Sequence, residues 1–132
     1  MGHDAEKHMM FLRATVKSIR HAWRGLRLCF KTERSFRIQT AIFLGLIVVT
    51  VLLPLTTGER FILLSVAMFV LVLELLNSAL ERLVDLIKPR LDPYAGDAKD
   101  LMAGAVLLAS GFALVIGVVI LLPHLFYLYR HL

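Results

Sequence analysis

Residues 101–122, LMAGAVLLASGFALVIGVVILL, run for 22 positions without a charge, and residues 40–57, TAIFLGLIVVTVLLPLTT, for another 18. A membrane span needs about 17–25 predominantly apolar residues, so both stretches are read as transmembrane helices. The whole chain agrees: 58% of its 132 residues are apolar and its mean hydropathy is +0.76, against about 45–50% apolar usage in soluble domains. The length suits a single domain.

A third apolar stretch, Phe61 to Leu73, holds only 13 uncharged residues before Glu74 interrupts it. At 1.5 Å per residue it rises about 20 Å, short of a ~30 Å hydrocarbon core. Continued to Ile87 it reaches about 40 Å and crosses easily. Glu74 then lies inside the membrane and Glu81 near the headgroups. The competing reading is a short re-entrant or soluble core helix.

Charge orients these spans. Nine of the fifteen Lys and Arg residues fall between Lys7 and Arg37, and four more between Arg82 and Lys99. Lys and Arg bias short loops toward the cytoplasm, so the N-terminus and the 82–100 segment are expected inside, with residues 55–60 and the C-terminus outside. Arg13, Lys17, Arg20, Arg24, Arg27 and Lys31 form one helical stripe. Leu12, Val16, Ile19, Trp23, Leu26 and Phe30 form an apolar one beside it. A basic face next to a Trp-bearing apolar face describes a helix lying in the membrane interface. A nucleic-acid-binding arm could carry the same stripe, but the adjacent spans favour lipid headgroups, and no nucleic-acid partner is expected. Cys29 is the single cysteine, so no internal disulfide forms. The first ten residues lack an apolar signal-peptide core, and no cleavage is expected.

The chemistry sits in LELLNSALERLVDL, residues 73–86. Glu74, Asn77, Glu81 and Asp85 follow spacings of three, four and four, which places them on one helix face. A charge deep in a bilayer costs about 2.5–3.5 kcal/mol on insertion scales, so such residues face a cavity, a partner or a protein interior. The bland reading of Glu74 is a protonated carboxyl bridging helices, and that of Asp85 a solvated residue at a loop boundary. Glu81, joined by a second carboxylate, could hold Mg²⁺, which favours a few carboxylates plus phosphate oxygens. Glu33 is a candidate second ligand, or simply an acidic spot within a basic cluster. Lys99 and Asp100 open the third span on the same membrane side, where a lysine and free helix N–H groups suit a phosphate. Ala109, Ala113 and Gly117 recur every four residues, with Gly104 and Gly111 seven apart. Small residues so spaced let helices approach closely in lipid. There is no Walker-type G-x-x-x-x-G-K-[ST] and no protein-kinase signature.

ELLNSALERLVDL at 74–86, followed by GDAKDLMAGAVLL at 96–108, resembles the signature of the prokaryotic diacylglycerol kinase family, which includes the undecaprenol kinases. AWRGLRLCFKTERSFRIQ at 22–39 is similar to the family's surface helix and its entry into the first span. The resemblance implies an ATP- and Mg²⁺-dependent kinase of a membrane lipid alcohol, diacylglycerol or undecaprenol, working at the inner membrane. It also implies a homotrimer with composite sites between subunits. By similarity Glu74 is the general base, and Glu33 and Glu81 bind metal. Asn77 stands beside them in the nucleotide site with Gly96, Lys99 and Asp100. Trp23, and Arg13 upstream of the stretch that resembles the family, are candidate contacts of the lipid substrate. Asp97 departs from the family, many of whose members carry a basic residue there. MAGAVLLAS and the downstream ILLP look closer to the undecaprenol type.

The expected architecture is therefore all-α and integral to the membrane. An amphipathic interfacial helix at 9–32 precedes transmembrane helices at 38–57, 60–87 and 98–122. An alternative from a different class is a non-catalytic oligomer, a small cation-channel subunit or scaffold, whose acidic stripe would line an ion path.

Overall fold

A computed structural model describes residues 2–87 and 93–131, and among them every element is a helix. α1 is Gly2–Thr32, α2 is Arg34–Leu52, α3 is Thr57–Ile87 and α4 is Pro93–His131. The chain divides into two units, residues 1–33 and 34–132.

In the first unit, α1 runs unbroken for 31 residues. Thr15 and Thr32 return their hydroxyls to the carbonyls of Phe11 and Leu28, each at 3.0 Å. The Arg27 guanidinium lies 5.9 Å from the centre of the Trp23 ring, within cation–π range. Glu33 is the non-helical residue after α1. Its N–H still donates to Cys29 O at 2.8 Å, and its Oε1 accepts from the Thr32 hydroxyl at 3.0 Å.

The second unit packs α3 against both α2 and α4. All three helices are long and apolar enough to cross a membrane, with mean hydropathies of 1.9, 2.3 and 2.9. Their surfaces are open. α4, the most apolar, contributes no fully buried residue among those described, and Leu107, Leu108, Phe112 and Leu114 stand exposed. In water such a surface would drive aggregation; against acyl chains it is satisfied. This is the membrane architecture that the uncharged stretches imply.

Local chemistry sets the helix ends. α2 stops at Leu52, short of the end expected at residue 57, because Pro54 lacks an N–H and disfavours helix in the residue before it. A tight turn closes around Pro54, with Leu55 N donating to Leu53 O at 2.8 Å. Thr56 then caps α3. Its Oγ1 accepts from Glu59 N at 3.3 Å, while the Glu59 carboxylate takes the Thr56 N–H at 2.7 Å and its hydroxyl at 2.8 Å. This reciprocal capping box satisfies two otherwise orphaned donors.

α4 differs from expectation at both ends. It opens at Pro93, since proline fits a first helical turn where its missing N–H is not needed. It also continues through Pro123 to His131. Residues 88–92, between the expected second and third spans, lie outside the described residues.

Candidate functional site on helices three and four

α3 keeps one face inward along its whole length, and that face turns from apolar to polar as it goes. Leu63, Val70 and Leu71 are buried in its first part, and Ser78 and Val84 in the part that carries the acidic stripe. Glu74, Asn77 and Glu81 are half-buried, and Asp85 is exposed. Asn77 and Glu81 lie one turn apart, and Asn77 Nδ2 donates to Glu81 Oε1 at 3.2 Å. That bond orients the amide so that Asn77 Oδ1 is left buried without a hydrogen-bond partner.

Lys99 comes from the first turns of α4 and closes on α3. Its Nζ lies 2.6 Å from Asp85 Oδ1. Sequence reasoning treated Asp85 as solvated and missed this pair; the signal lay in two opposite charges facing each other across the 88–92 connection. Gly96 has nothing within 4 Å of the place a Cβ would occupy, so its backbone is open to approach. Asp97 and Asp100 are exposed.

A second polar contact closes the opposite end. His124 Nε2 on α4 lies 3.8 Å from Glu59 Oε2 on α3, and His124 Nδ1 lies 2.9 Å from Ile120 O. Between these ends, Leu53, Leu55 and Leu63 pack against Leu46, Val49, Ile116, Ile120 and Leu121. The three sets of contacts share one antiparallel register. Twenty-six residues of α3 and 25 of α4 separate the two contacts, about 39 Å at 1.5 Å per residue. That distance brackets a ~30 Å hydrocarbon core. Counting about 20 residues inward from Phe61 puts the other hydrocarbon boundary near Glu81, with Glu74 about 10 Å deeper. In the same register Ser110 of α4 lies level with Glu74.

Among the described residues no three His, Cys, Asp or Glu side chains cluster as a metal centre. What α3 offers a cation is narrower. The Glu81 carboxylate and the unpartnered Asn77 oxygen are two hard donors on consecutive turns, the kind of partial shell that Mg²⁺ completes with phosphate and water oxygens. Glu33 belongs to the other unit, at the end of α1, as do Arg13 and Trp23.

Comparison with known proteins places this arrangement. The family model for prokaryotic diacylglycerol kinase matches residues 20–121. A diacylglycerol kinase of Synechocystis is 44% identical over 111 residues, covering 82% of this chain and 62% of that protein. The undecaprenol kinase of Bacillus subtilis is 36% identical over 122 residues, 92% of this chain and 99% of its own. The diacylglycerol kinase of Escherichia coli is 33% identical over 109 residues, 83% and 89% respectively.

Proposed function

This chain belongs to the prokaryotic diacylglycerol kinase family, and from that premise we propose that it moves the γ-phosphate of ATP to the hydroxyl of a membrane lipid alcohol at the cytoplasmic face. The observation that carries the reading is the polar run on α3. Glu74 lies in the hydrocarbon level, the Asn77–Glu81 pair about one and two turns nearer its boundary, and the Lys99–Asp85 pair beyond it. A lipid kinase must join two substrates that cannot share a solvent: the alcohol stays with its chains and the triphosphate stays in water. A stripe running from one medium to the other is where they meet.

Phosphoryl transfer needs positioning and charge neutralisation more than covalent help from the protein. Glu74 accepts the proton of the lipid hydroxyl as its oxygen bonds to the γ-phosphorus and the bond to the β,γ-bridging oxygen breaks, releasing ADP. Lys99 presents an ammonium with three donors. One is held by Asp85, leaving the others for phosphate oxygens. Glu81, Asn77 and Glu33 would hold Mg²⁺, which supplies charge neutralisation on the phosphates when bound. Asp100 and the open backbone at Gly96 complete the nucleotide side, while Trp23 and Arg13 of α1 flank the lipid at the interface.

Three spans with so much uncovered apolar surface also support an assembly of copies. Ala109, Ala113 and Gly117 give α4 a face on which a neighbouring helix can approach closely. We place the sites between subunits of a homotrimer, in the inner membrane, with the N-terminus cytoplasmic and the C-terminus outside.

The test is Mg²⁺-dependent transfer of labelled phosphate from ATP to diacylglycerol and to undecaprenol in detergent micelles. Glu74→Gln should lose at least 10²-fold in turnover, as expected for removal of a general base, while eluting as the same oligomer. A fully active Glu74→Gln would remove Glu74 from the base role, and absence of transfer to either lipid would favour the channel or scaffold reading.

A further inference from the structure

α2, α3 and α4 enclose a groove of about 530 Å³ that is apolar along nearly its whole length. Leu46, Leu63 and Leu121 line its outer part. On α3 the lining residues Leu63, Val66, Ala67 and Val70 repeat at three and four positions, and Glu74 and Asn77 continue that repeat on the same face. The groove therefore leads along α3 to the proposed base. Only Gln39 and Ser110 among its lining side chains carry a hydrogen-bonding group. Both lie at the inner end, Ser110 level with Glu74 and Gln39 about one turn deeper.

The helical threonines Thr15, Thr32, Thr40 and Thr50 return their hydroxyls to the carbonyl three or four residues back at 2.7–3.0 Å, a bond open to any serine or threonine in a helix. Ser110 makes no such bond, and its Oγ is buried without a partner. Among the described residues two buried side-chain polar atoms share this condition, Asn77 Oδ1 and Ser110 Oγ, and in the α3–α4 register they flank Glu74. An unsatisfied buried hydroxyl is destabilising, and a bound molecule with an acceptor at that point recovers the loss.

Resting on the lipid-kinase reading, we propose that Ser110, supported by Gln39, selects an ester-bearing glycerolipid alcohol over an isoprenyl alcohol. A diacylglycerol carries ester carbonyl acceptors a few bonds from its free hydroxyl. With that hydroxyl at Glu74, the carbonyls fall beside and just below it, where the Ser110 O–H and the Gln39 amide N–H groups can donate. An isoprenyl alcohol has no acceptor besides the reacting oxygen and leaves both donors unpaired. Sites built to hydrogen-bond a substrate discriminate strongly against analogues that lack the partner group. An apolar pocket alone would not separate the two lipids.

The test compares kcat/KM for an sn-1,2-diacylglycerol and for undecaprenol in the same micelles, using the wild-type chain, Ser110→Ala and Ser110→Thr. Wild type should favour diacylglycerol, against the expectation drawn from the MAGAVLLAS and ILLP stretches. Ser110→Ala should lower kcat/KM for diacylglycerol about five- to tenfold, the size of one buried hydrogen bond, while leaving undecaprenol and the KM for ATP unchanged. Ser110→Thr, whose hydroxyl the preceding turn competes for as it does in Thr40 and Thr50, should recover only part of the loss. A wild-type preference for undecaprenol, or an Ala variant that lowers both lipids equally or neither, overturns the assignment. An equal loss accompanied by altered oligomer size would mean that a second copy of the chain fills the groove. Transfer to neither lipid by wild type would defeat the kinase reading itself, and this inference with it.

Discussion

Lys99 Nζ and Asp85 Oδ1 meet at 2.6 Å across the ends of α4 and α3. The pair is partly solvated, with side-chain exposures of 28% and 62%, and such pairs contribute only about 0–1 kcal/mol to stability. Its value is positional: an otherwise mobile four-carbon stem is held with donors to spare.

Asp85→Asn therefore separates placement from stability. The thermal midpoint in detergent should barely move, while the KM for ATP rises severalfold and kcat changes less. Steady-state kinetics at fixed lipid and varied ATP read this directly. An unchanged KM would show that Lys99 reaches its place without Asp85.

Asn77 makes the opposite trade. Its amide spends one hydrogen bond on Glu81 and leaves a buried oxygen unsatisfied, an arrangement that costs about as much as it contributes. Asn77→Ala should leave the thermal midpoint unchanged or raise it, yet lower turnover by at least tenfold. A parallel fall in stability and activity would instead mark Asn77 as structural.

Glu81→Ala removes a carboxylate and one of the two hard donors on α3. Activity should return in part at high Mg²⁺, with the half-saturating concentration raised about tenfold or more. A titration superimposable on wild type would exclude Glu81 as a ligand.

The capping box at the other end of α3 offers a control far from the site. Thr56→Ala loses the hydroxyl contacts to Glu59 and should destabilise by about 1 kcal/mol, with kcat and both KM values intact. Thermal melts and kinetics on one preparation settle it. A selective loss of activity would tie this end of α3 to the chemistry.

Much of this molecule was legible in one dimension, because a bilayer asks local questions. Whether residues 40–57 or 101–122 lack charge and whether Glu74, Asn77 and Glu81 share a face are answered by neighbours along the chain, although the expected first span runs through Pro54 to residue 57, where α2 ends at Leu52. Hydrocarbon length and the 3.6-residue period do the rest. What the order of residues could not supply was the register of α3 against α4. It depends on which side chains meet across the two helices, and here one ion pair, a histidine–carboxylate contact and a leucine cluster decide it. Only that register sets Lys99 on Asp85, His124 beside Glu59, and Ser110 level with Glu74. Ser110 sits unmarked in an uncharged run, since the fate of a hydroxyl depends on what surrounds it in three dimensions.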